Sequence, residues 1–220
     1  IKGCWEINMK AMILAAGFGK RLGHLTQNTP KPLIQVKGKA LIDYHLDKLI
    51  KSGFEMVVIN LHYLGEQIEE HITSNFSGKI KIIFSHEKEI LGTCGGILNA
   101  IDHFGNDDFL VLNADIFSDI DYVYFKKFKA PTIFAVKNDK NGDFSIKNEK
   151  VIVHGERNFT WTGFSIINSS FFQGMETKYS DYWEDWMIHL AAEEKVVADI
   201  PNINWYDVGI KDTLDFLNSE

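Results

Sequence analysis

The sequence contains 220 residues, 45% of them hydrophobic and 24% charged, which is typical of a folded protein and argues against a disordered chain. The net charge of −7 at pH 7 argues against a nucleic-acid partner, because a phosphate backbone requires a basic surface. Two cysteines, Cys4 and Cys94, provide neither a disulfide framework nor a zinc site. This cysteine usage makes a reducing cytoplasm the expected compartment, and no membrane partner is expected because no apolar run is long enough to span a membrane.

Residues 1–8 precede the first regular pattern, and we expect them to be an extension, native or left from cloning, outside a single domain at residues 9–220. Within that domain, short apolar runs alternate with amphipathic stretches. Strands are predicted at residues 11–15, 56–61, 80–84 and 109–112, and helices at residues 41–50, 65–72 and 96–104. This alternation is typical of βαβ units, in which a parallel sheet carries helices on both faces.

The second half of the domain is less regular. Its patterns predict strands at residues 131–136, 160–167 and 196–200, a hairpin at residues 144–153 and a helix at residues 182–192. We interpret these elements as a mixed extension of the same sheet. The predicted fold class is therefore α/β, with a Rossmann-like, doubly wound sheet that is mostly parallel. No hexapeptide repeat follows, so no C-terminal β-helix is expected.

The strongest chemical signal is a glycine loop directly after the first predicted strand, in the segment LAAGFGKR at residues 14–21. Gly17 and Gly19 let the backbone turn tightly and present N–H groups to phosphate oxygens. Arg21 and Lys31 add positive charge, and prolines on both sides of Lys31 restrict its position. The loop lacks the Gly-Lys-Ser/Thr of a Walker motif and the third glycine of the dinucleotide fingerprint. The pattern predicts phosphate binding.

A second signal is Asp115, which follows a predicted strand in the segment LNADIF. In open parallel sheets, ligands bind at the carboxyl ends of the strands, so a carboxylate at this point faces the site. An isolated aspartate after a strand is also a common turn or helix-capping residue. Asp207, in the segment WYDVG, is a candidate partner for Asp115.

These segments resemble the sugar-phosphate nucleotidyltransferase family. The resemblance is carried by MKAMILAAGFGKR, TPKPLIQVKGKALIDYHL and VVINLHYLGEQIEEHI, between residues 9 and 72, and by LGTCGGI, LNADIF, NGDF and WYDVG further on. The chain is most similar to the N-acetylmuramate α-1-phosphate uridylyltransferases of bacterial peptidoglycan recycling. The resemblance implies an enzyme that joins a nucleoside triphosphate, here UTP, to a sugar 1-phosphate, here N-acetylmuramate 1-phosphate, and releases pyrophosphate.

The resemblance also implies roles for individual residues. Asp115 and Asp207 would hold Mg²⁺, which prefers hard oxygen ligands together with phosphate oxygens and water. Asp115 would act in catalysis with Arg21 and Lys31, and Asn113, Asp143 and Asp207 would contact the sugar phosphate. The residues expected to bind the nucleotide are Leu14, Ala15, Ala16, Gly17, Gly19, Lys20, Arg21, Lys31, Glu87, Gly92 and Gly95.

Some of these assignments compete with simpler structural ones. The glycine-rich segment at residues 91–96 would pack beside the nucleobase, but it is equally the start of a helix. Asn141-Gly142-Asp143 also reads as a β-turn. Gly23 and His24 stand where the family usually has a basic residue and a proline, and Ala114 where it usually has glycine.

Alternative functions remain open at this point. Within the family they are a mannose- or heptose-1-phosphate guanylyltransferase and a choline-phosphate cytidylyltransferase. From another class, the altered segment at Gly23 and His24 would favour a nucleotide-binding regulatory protein that has lost activity. The expected partners are small molecules, a nucleoside triphosphate and a sugar 1-phosphate. The oligomeric state, monomer or dimer, is open.

Overall fold

The computed structural model describes residues 8–219, so the expected extension at residues 1–8 lies outside it except for Asn8. The strands are β1 (Lys10–Leu14), β2 (Gln35–Val36), β3 (Lys39–Ala40), β4 (Met56–Leu61), β5 (Lys81–His86), β6 (Asp108–Asn113), β7 (Ile116–Ser118), β8 (Thr132–Lys137), β9 (Ser145–Lys147), β10 (Lys150–Ile152), β11 (Phe159–Asn168), β12 (Val197–Asp199) and β13 (Trp205–Asp207).

The α-helices are α1 (Leu41–Lys51), α2 (Gly65–Phe76), α3 (Gly92–Ala100), α4 (Ile188–Ala192) and α5 (Lys211–Ser219). Short 3₁₀ helices occupy Lys20–Thr26, Lys31–Leu33, Ile101–His103, Tyr122–Lys127 and Ser169–Phe172, and a π-helical turn at Trp183–Met187 leads into α4. Within residues 8–219, none of the helices has the length and apolar character needed to cross a membrane.

A nine-stranded sheet in the order β5-β4-β1-β6-β11-β8-β12-β10-β9 organises the fold. The first four strands in that order are parallel. The strand β11 then pairs antiparallel with both β6 and β8, β12 runs parallel to β8, and β10 is antiparallel to both β12 and β9. This architecture confirms the predicted α/β fold, with a parallel βαβ half and a mixed extension.

Helices cover both faces of the parallel half because alternate residues of each strand point to opposite sides. In β1, Ile13 packs in one buried cluster with Leu46 of α1 and Ile68 of α2. Its neighbour Met12 packs in a second cluster with Ile97 of α3. All five side chains are fully buried, and each stabilises the fold by roughly 1.5–3 kcal/mol. The uninterrupted apolar run of β1 follows from this two-sided burial.

The structure differs from the predictions where tertiary contacts decide the backbone. The helix expected at residues 96–104 begins at Gly92 instead, so the glycine-rich segment forms its first turns. The helix expected at residues 182–192 begins with the π-helical turn. The short strands β7 and β13 were not predicted, because three residues are too few to show a periodic pattern.

Candidate active site

A cavity of about 280 Å³ lies at the carboxyl ends of β1 and β6, beside the N-terminus of α3. This is the position expected for a ligand in an open parallel sheet. The predicted site residues that line it are Leu14, Ala15, Ala16, Gly17, Lys31, Gly92, Asn113 and Asp115. The predicted residues outside its lining are Gly19, Lys20, Arg21, Glu87, Gly95, Asp143 and Asp207.

The glycine loop after β1 is shaped by Gly19 and braced by Thr26. Gly19 adopts a positive φ of 65°, and a Cβ atom there would lie 2.9 Å from the Thr26 methyl group. The Thr26 hydroxyl donates a hydrogen bond of 2.9 Å to the Gly19 carbonyl oxygen. Around Gly17, by contrast, a Cβ atom would meet nothing within 4 Å. Gly19 therefore serves the conformation of the loop, while Gly17 leaves open space on the side of the cavity.

Two ion pairs join the predicted catalytic cations to the predicted metal-binding carboxylates. The Lys31 ammonium contacts the Asp115 carboxylate, and their side chains are only 11% and 23% exposed. The Arg21 guanidinium lies 3.3 Å from the Asp207 carboxylate, at side-chain exposures of 61% and 36%. The first pair is largely shielded from solvent, so its electrostatic interaction is stronger than that of the second.

The two carboxylates are brought near each other by a small antiparallel ribbon of β7 and β13, since Asp115 immediately precedes β7 and Asp207 is the last residue of β13. Asp207 stands opposite Ile116 in the ribbon, and the Val208 N–H donates a 2.9 Å hydrogen bond to the Asp115 carbonyl oxygen. The Gly209 N–H donates to the Asp207 carboxylate at 2.7 Å. A Cβ atom at Gly209 would lie 2.5 Å from the Arg21 guanidinium, so this glycine makes room for the second ion pair.

Asp115 and Asp207 offer the kind of oxygen ligands that Mg²⁺ prefers. Across residues 8–219, no group of three or more His, Cys, Asp or Glu side chains is arranged to hold a metal ion. Magnesium at nucleotide sites is usually held by one or two carboxylates, together with substrate phosphates and water. The donor set therefore fits a magnesium ion that binds together with a nucleotide better than an ion caged by protein ligands alone.

A buried hydrogen-bond network connects the glycine loop to α3. The Asn60 side chain accepts from the Ala15 N–H at 2.8 Å and donates to the Glu87 carboxylate at 2.7 Å. The other Glu87 oxygen accepts from the Leu91 N–H at 2.9 Å. Burial raises the pKa of the Glu87 carboxyl group. Both of its oxygens thus accept hydrogen bonds from the protein, which gives Glu87 a supporting role in this network, and its expected contact with the nucleotide stays a prediction.

Gly95, also expected to bind the nucleotide, faces the protein rather than the cavity. A Cβ atom on Gly95 would collide with the Lys178 carbonyl oxygen, and one on Gly92 would lie 2.5 Å from the Ser180 carbonyl oxygen. The absence of side chains at both positions therefore lets the segment at residues 178–180 cross directly over α3. Only Gly92 also lines the cavity.

Asn113 and Asp143 were both expected to contact the sugar phosphate, but they are placed differently. Asn113 lines the cavity, and its buried amide oxygen has no hydrogen-bond partner among residues 8–219. The Asp143 carboxylate lies outside the lining and accepts from the Trp161 N–H at 3.1 Å. Burial raises the pKa of the Asp143 carboxyl group. Asn113 thus has a polar atom in the cavity that is free to bind a ligand, whereas the Asp143 carboxylate is hydrogen-bonded to the backbone of β11.

Four polar residues of the cavity wall were not among the predicted site residues: Asn60, Thr93, Tyr179 and Asp181. The sequence pattern could have indicated Asn60, because it is a polar residue within the fully buried strand β4. Tyr179 and Asp181 carry none, because the second half of the chain reaches the cavity only through the tertiary fold.

Comparison with known proteins assigns the chain to a family. The nucleotidyl transferase family model matches residues 10–147. The chain is 37% identical over 182 residues to N-acetylmuramate alpha-1-phosphate uridylyltransferase of Neisseria meningitidis serogroup B, covering 76% of this chain and 79% of that protein. It is 32% identical over 152 residues to D-glycero-alpha-D-manno-heptose 1-phosphate guanylyltransferase of Campylobacter jejuni, covering 67% of this chain and 68% of that protein.

Among solved structures, HddC from Yersinia pseudotuberculosis superposes with a TM-score of 0.81 at 22% identity, over 96% of this chain and 98% of that chain. At this identity the superposition shows a shared fold. The family match spans more than half of the chain and includes the glycine loop, Lys31 and Asp115. The resemblance inferred from the sequence motifs is thus confirmed, and the chain belongs to the nucleotidyl transferase family.

Proposed function

We propose that this protein transfers a uridylyl group from UTP to N-acetylmuramate 1-phosphate, giving a UDP-sugar and pyrophosphate. The observation that carries the proposal is that one cavity collects Gly17, Lys31 and Asp115 at a single edge of the sheet. The 37% identity to the Neisseria uridylyltransferase supports the choice of both substrates. We place the reaction in the cytoplasm, as a step of peptidoglycan recycling.

In the proposed reaction, an oxygen of the sugar phosphate attacks the α-phosphorus of UTP, and the bond to the departing pyrophosphate breaks. A phosphate monoester has a second pKa near ~6, so this oxygen is already ionised at neutral pH and needs no general base. The difficulty is to bring two anions together. Lys31 and Arg21 would supply positive charge, and the N–H groups of the glycine loop would orient the phosphates.

Asp115 and Asp207 would hold Mg²⁺, which when bound neutralises and aligns the phosphate oxygens. In the structure, the same carboxylates pair with Lys31 and Arg21. Binding of the nucleotide would therefore exchange partners, with the two cations turning to phosphate oxygens while the carboxylates turn to the metal. Because each ligand releases the groups that the other needs, we expect nucleotide and Mg²⁺ to bind cooperatively.

A guanylyl transfer to a mannose or heptose 1-phosphate is the second candidate. It is favoured by the 32% identity to the Campylobacter heptose 1-phosphate guanylyltransferase. The two candidates differ in the base and the sugar and share the phosphate chemistry, so the groups at Lys31 and Asp115 serve both.

The position of the altered segment at Gly23 and His24 argues against the alternative function, an inactive regulatory protein. Gly23 and His24 line a separate, shallow depression together with Phe18 and Tyr63. Neither of them lines the cavity that holds Lys31 and Asp115. The departure from the family pattern therefore leaves the proposed phosphate site in place.

Pyrophosphate release tests the proposal directly. Each of the four nucleoside triphosphates should be combined with N-acetylmuramate, mannose, heptose and glucose 1-phosphates and with choline phosphate, in the presence of Mg²⁺. We expect turnover with UTP and N-acetylmuramate 1-phosphate. Turnover with GTP or CTP and none with UTP would overturn the choice of base, and release with no combination would favour the regulatory reading.

Two variants control for contaminating activity. Lys31→Ala should lose turnover, since it removes a buried charge from the cavity. Lys195→Ala is the matched control, because this lysine is 59% exposed and pairs with Glu193. An equal loss of turnover in both variants would mean that the measured pyrophosphate release does not depend on the cavity.

A further inference from the structure

One wall of the cavity is supplied by the second half of the chain. Tyr179 and Asp181 line it beside Gly92 and Thr93, at the N-terminus of α3. The phosphate-binding side, with Gly17 and Lys31, lies at the carboxyl end of β1 and in the loop that follows. A nucleotide with its phosphates on that side would extend its base toward the wall formed by Tyr179 and α3.

The backbone that carries Tyr179 is held firmly against α3. The Ser180 N–H donates to the Leu91 carbonyl oxygen at 2.9 Å, and the Ser180 carbonyl oxygen accepts from the Cys94 N–H at 3.0 Å. The close approach depends on Gly92, where a Cβ atom would lie 2.5 Å from the Ser180 carbonyl oxygen. Tyr179 is therefore presented from a fixed support, which limits the entropy lost when a ligand contacts it.

Asp181 fixes the other end of this segment and has little capacity left for a ligand. One of its carboxylate oxygens accepts from the Trp183 N–H at 2.8 Å and from the Glu184 N–H at 3.0 Å. The other accepts from the Thr93 hydroxyl at 3.1 Å, across 88 residues of sequence. Asp181 thus acts as a structural tie between the segment and α3.

Tyr179 is the opposite case. Its side chain lines the cavity, yet Tyr179 is 69% exposed. Within residues 8–219 it makes no hydrogen bond and no aromatic ring contact. An aromatic side chain on a rigid support, at the edge of a ligand cavity and without a protein partner, offers its face to a planar ligand.

We propose that Tyr179 is the stacking surface for the nucleobase of the triphosphate, on the cavity wall that its segment forms together with the first turn of α3. This inference rests on the proposed nucleotidyl transfer and adds a residue that sets nucleotide affinity. Stacking on an aromatic side chain tolerates any base, because every base has a π-face. Tyr179 would therefore strengthen nucleotide binding and leave the choice among bases to the groups that contact the base edges.

The test compares Tyr179→Ala and Tyr179→Phe by calorimetric titration with UTP and Mg²⁺. Removal of a stacking ring should weaken UTP binding by about 5- to 150-fold in Tyr179→Ala, while Tyr179→Phe should bind UTP nearly as the unchanged protein does. Inorganic tripolyphosphate, which has no base, should bind all three proteins equally. Met175→Ala is the matched control, because Met175 is 38% exposed in the preceding part of the segment and does not line the cavity.

Normal UTP binding by Tyr179→Ala would overturn the inference, as would equal losses in the alanine and phenylalanine variants, which would point to the hydroxyl group. A matching loss of tripolyphosphate binding would mean that the change damages the phosphate site. A raised KM for the sugar phosphate alone would move Tyr179 to the acceptor side. If the unchanged protein binds nucleotides and turns over, these results concern Tyr179 only; if it binds none, the proposed function itself fails.

Discussion

Changing either carboxylate of the proposed magnesium site to its amide should separate catalysis from stability. Asp115→Asn and Asp207→Asn keep the shape of the side chain and remove the charge that would hold Mg²⁺. Loss of a preorganised charge at a transferring phosphoryl group costs on the order of 10²–10³ in rate. Both variants should therefore lose turnover by a similar factor, and the double variant should lose little more, because groups that act as a unit are not additive.

The stabilities should differ because the two ion pairs lie in different surroundings. The side chains of Asp115 and Lys31 are 23% and 11% exposed, so Asp115→Asn leaves a mostly buried ammonium without its charged partner, at a cost of roughly 1–3 kcal/mol. Asp207 pairs with Arg21 at exposures of 36% and 61%, and exposed pairs contribute about 0–1 kcal/mol. The free energy of unfolding should thus fall more in Asp115→Asn than in Asp207→Asn.

Thermal unfolding and pyrophosphate release measure the two effects on the same samples. A loss of 1 kcal/mol lowers Tm by roughly 2–4 °C in a chain of this size, so Asp115→Asn should melt several degrees lower and Asp207→Asn almost unchanged. Lys31→Ala in the Asp115→Asn background should restore part of the lost stability, since it removes the unpaired charge. Near-normal turnover in both amide variants, or a larger stability loss in Asp207→Asn, would refute the reasoning.

Three further predictions test the surroundings of the cavity. Gly17→Ala should leave Tm unchanged, because a Cβ atom there meets nothing within 4 Å. The added methyl group would fill space proposed for the phosphates, so UTP binding should weaken at least tenfold. A lower Tm in this variant would contradict the prediction. Asn60→Ala should lower the free energy of unfolding, measured in urea, by about 2–5 kcal/mol, because it leaves the Ala15 N–H and one Glu87 oxygen buried without partners. An unchanged free energy of unfolding would show that the network does not stabilise the fold. Burial, and to a lesser extent the nearby charge of Lys48, lowers the pKa of His45 to about 3. Below pH 6.5 the unfolded chain therefore binds a proton at this histidine that the folded protein does not. The free energy of unfolding should fall by about 1.4 kcal/mol per pH unit as the pH drops from 6.5 toward 3. His45→Asn should flatten that dependence in urea unfolding measured from pH 7 to 4, and an unchanged slope would show that other groups cause it.

Much of the fold could be predicted because its signals are local. A strand buried on both faces requires an uninterrupted apolar run, and the runs at β1, β4 and β6 are visible in the sequence. The glycine loop and the proline-bracketed Lys31 are equally local, since neighbouring residues restrict their backbone conformations. The family motifs add Asp115 and Asp207 as candidates, but no local pattern tells whether their carboxylates meet.

The sequence by itself thus determined the fold class and the family, and it predicted a phosphate-binding loop. Only the tertiary structure decided which groups face one another: Lys31 pairs with Asp115 across 84 residues and Arg21 with Asp207 across 186. It also moved the start of α3 to Gly92 and brought Tyr179 to the cavity wall. The physical reason is that such contacts depend on strand order and on the packing of distant segments, which nearest-neighbour preferences along the chain do not encode.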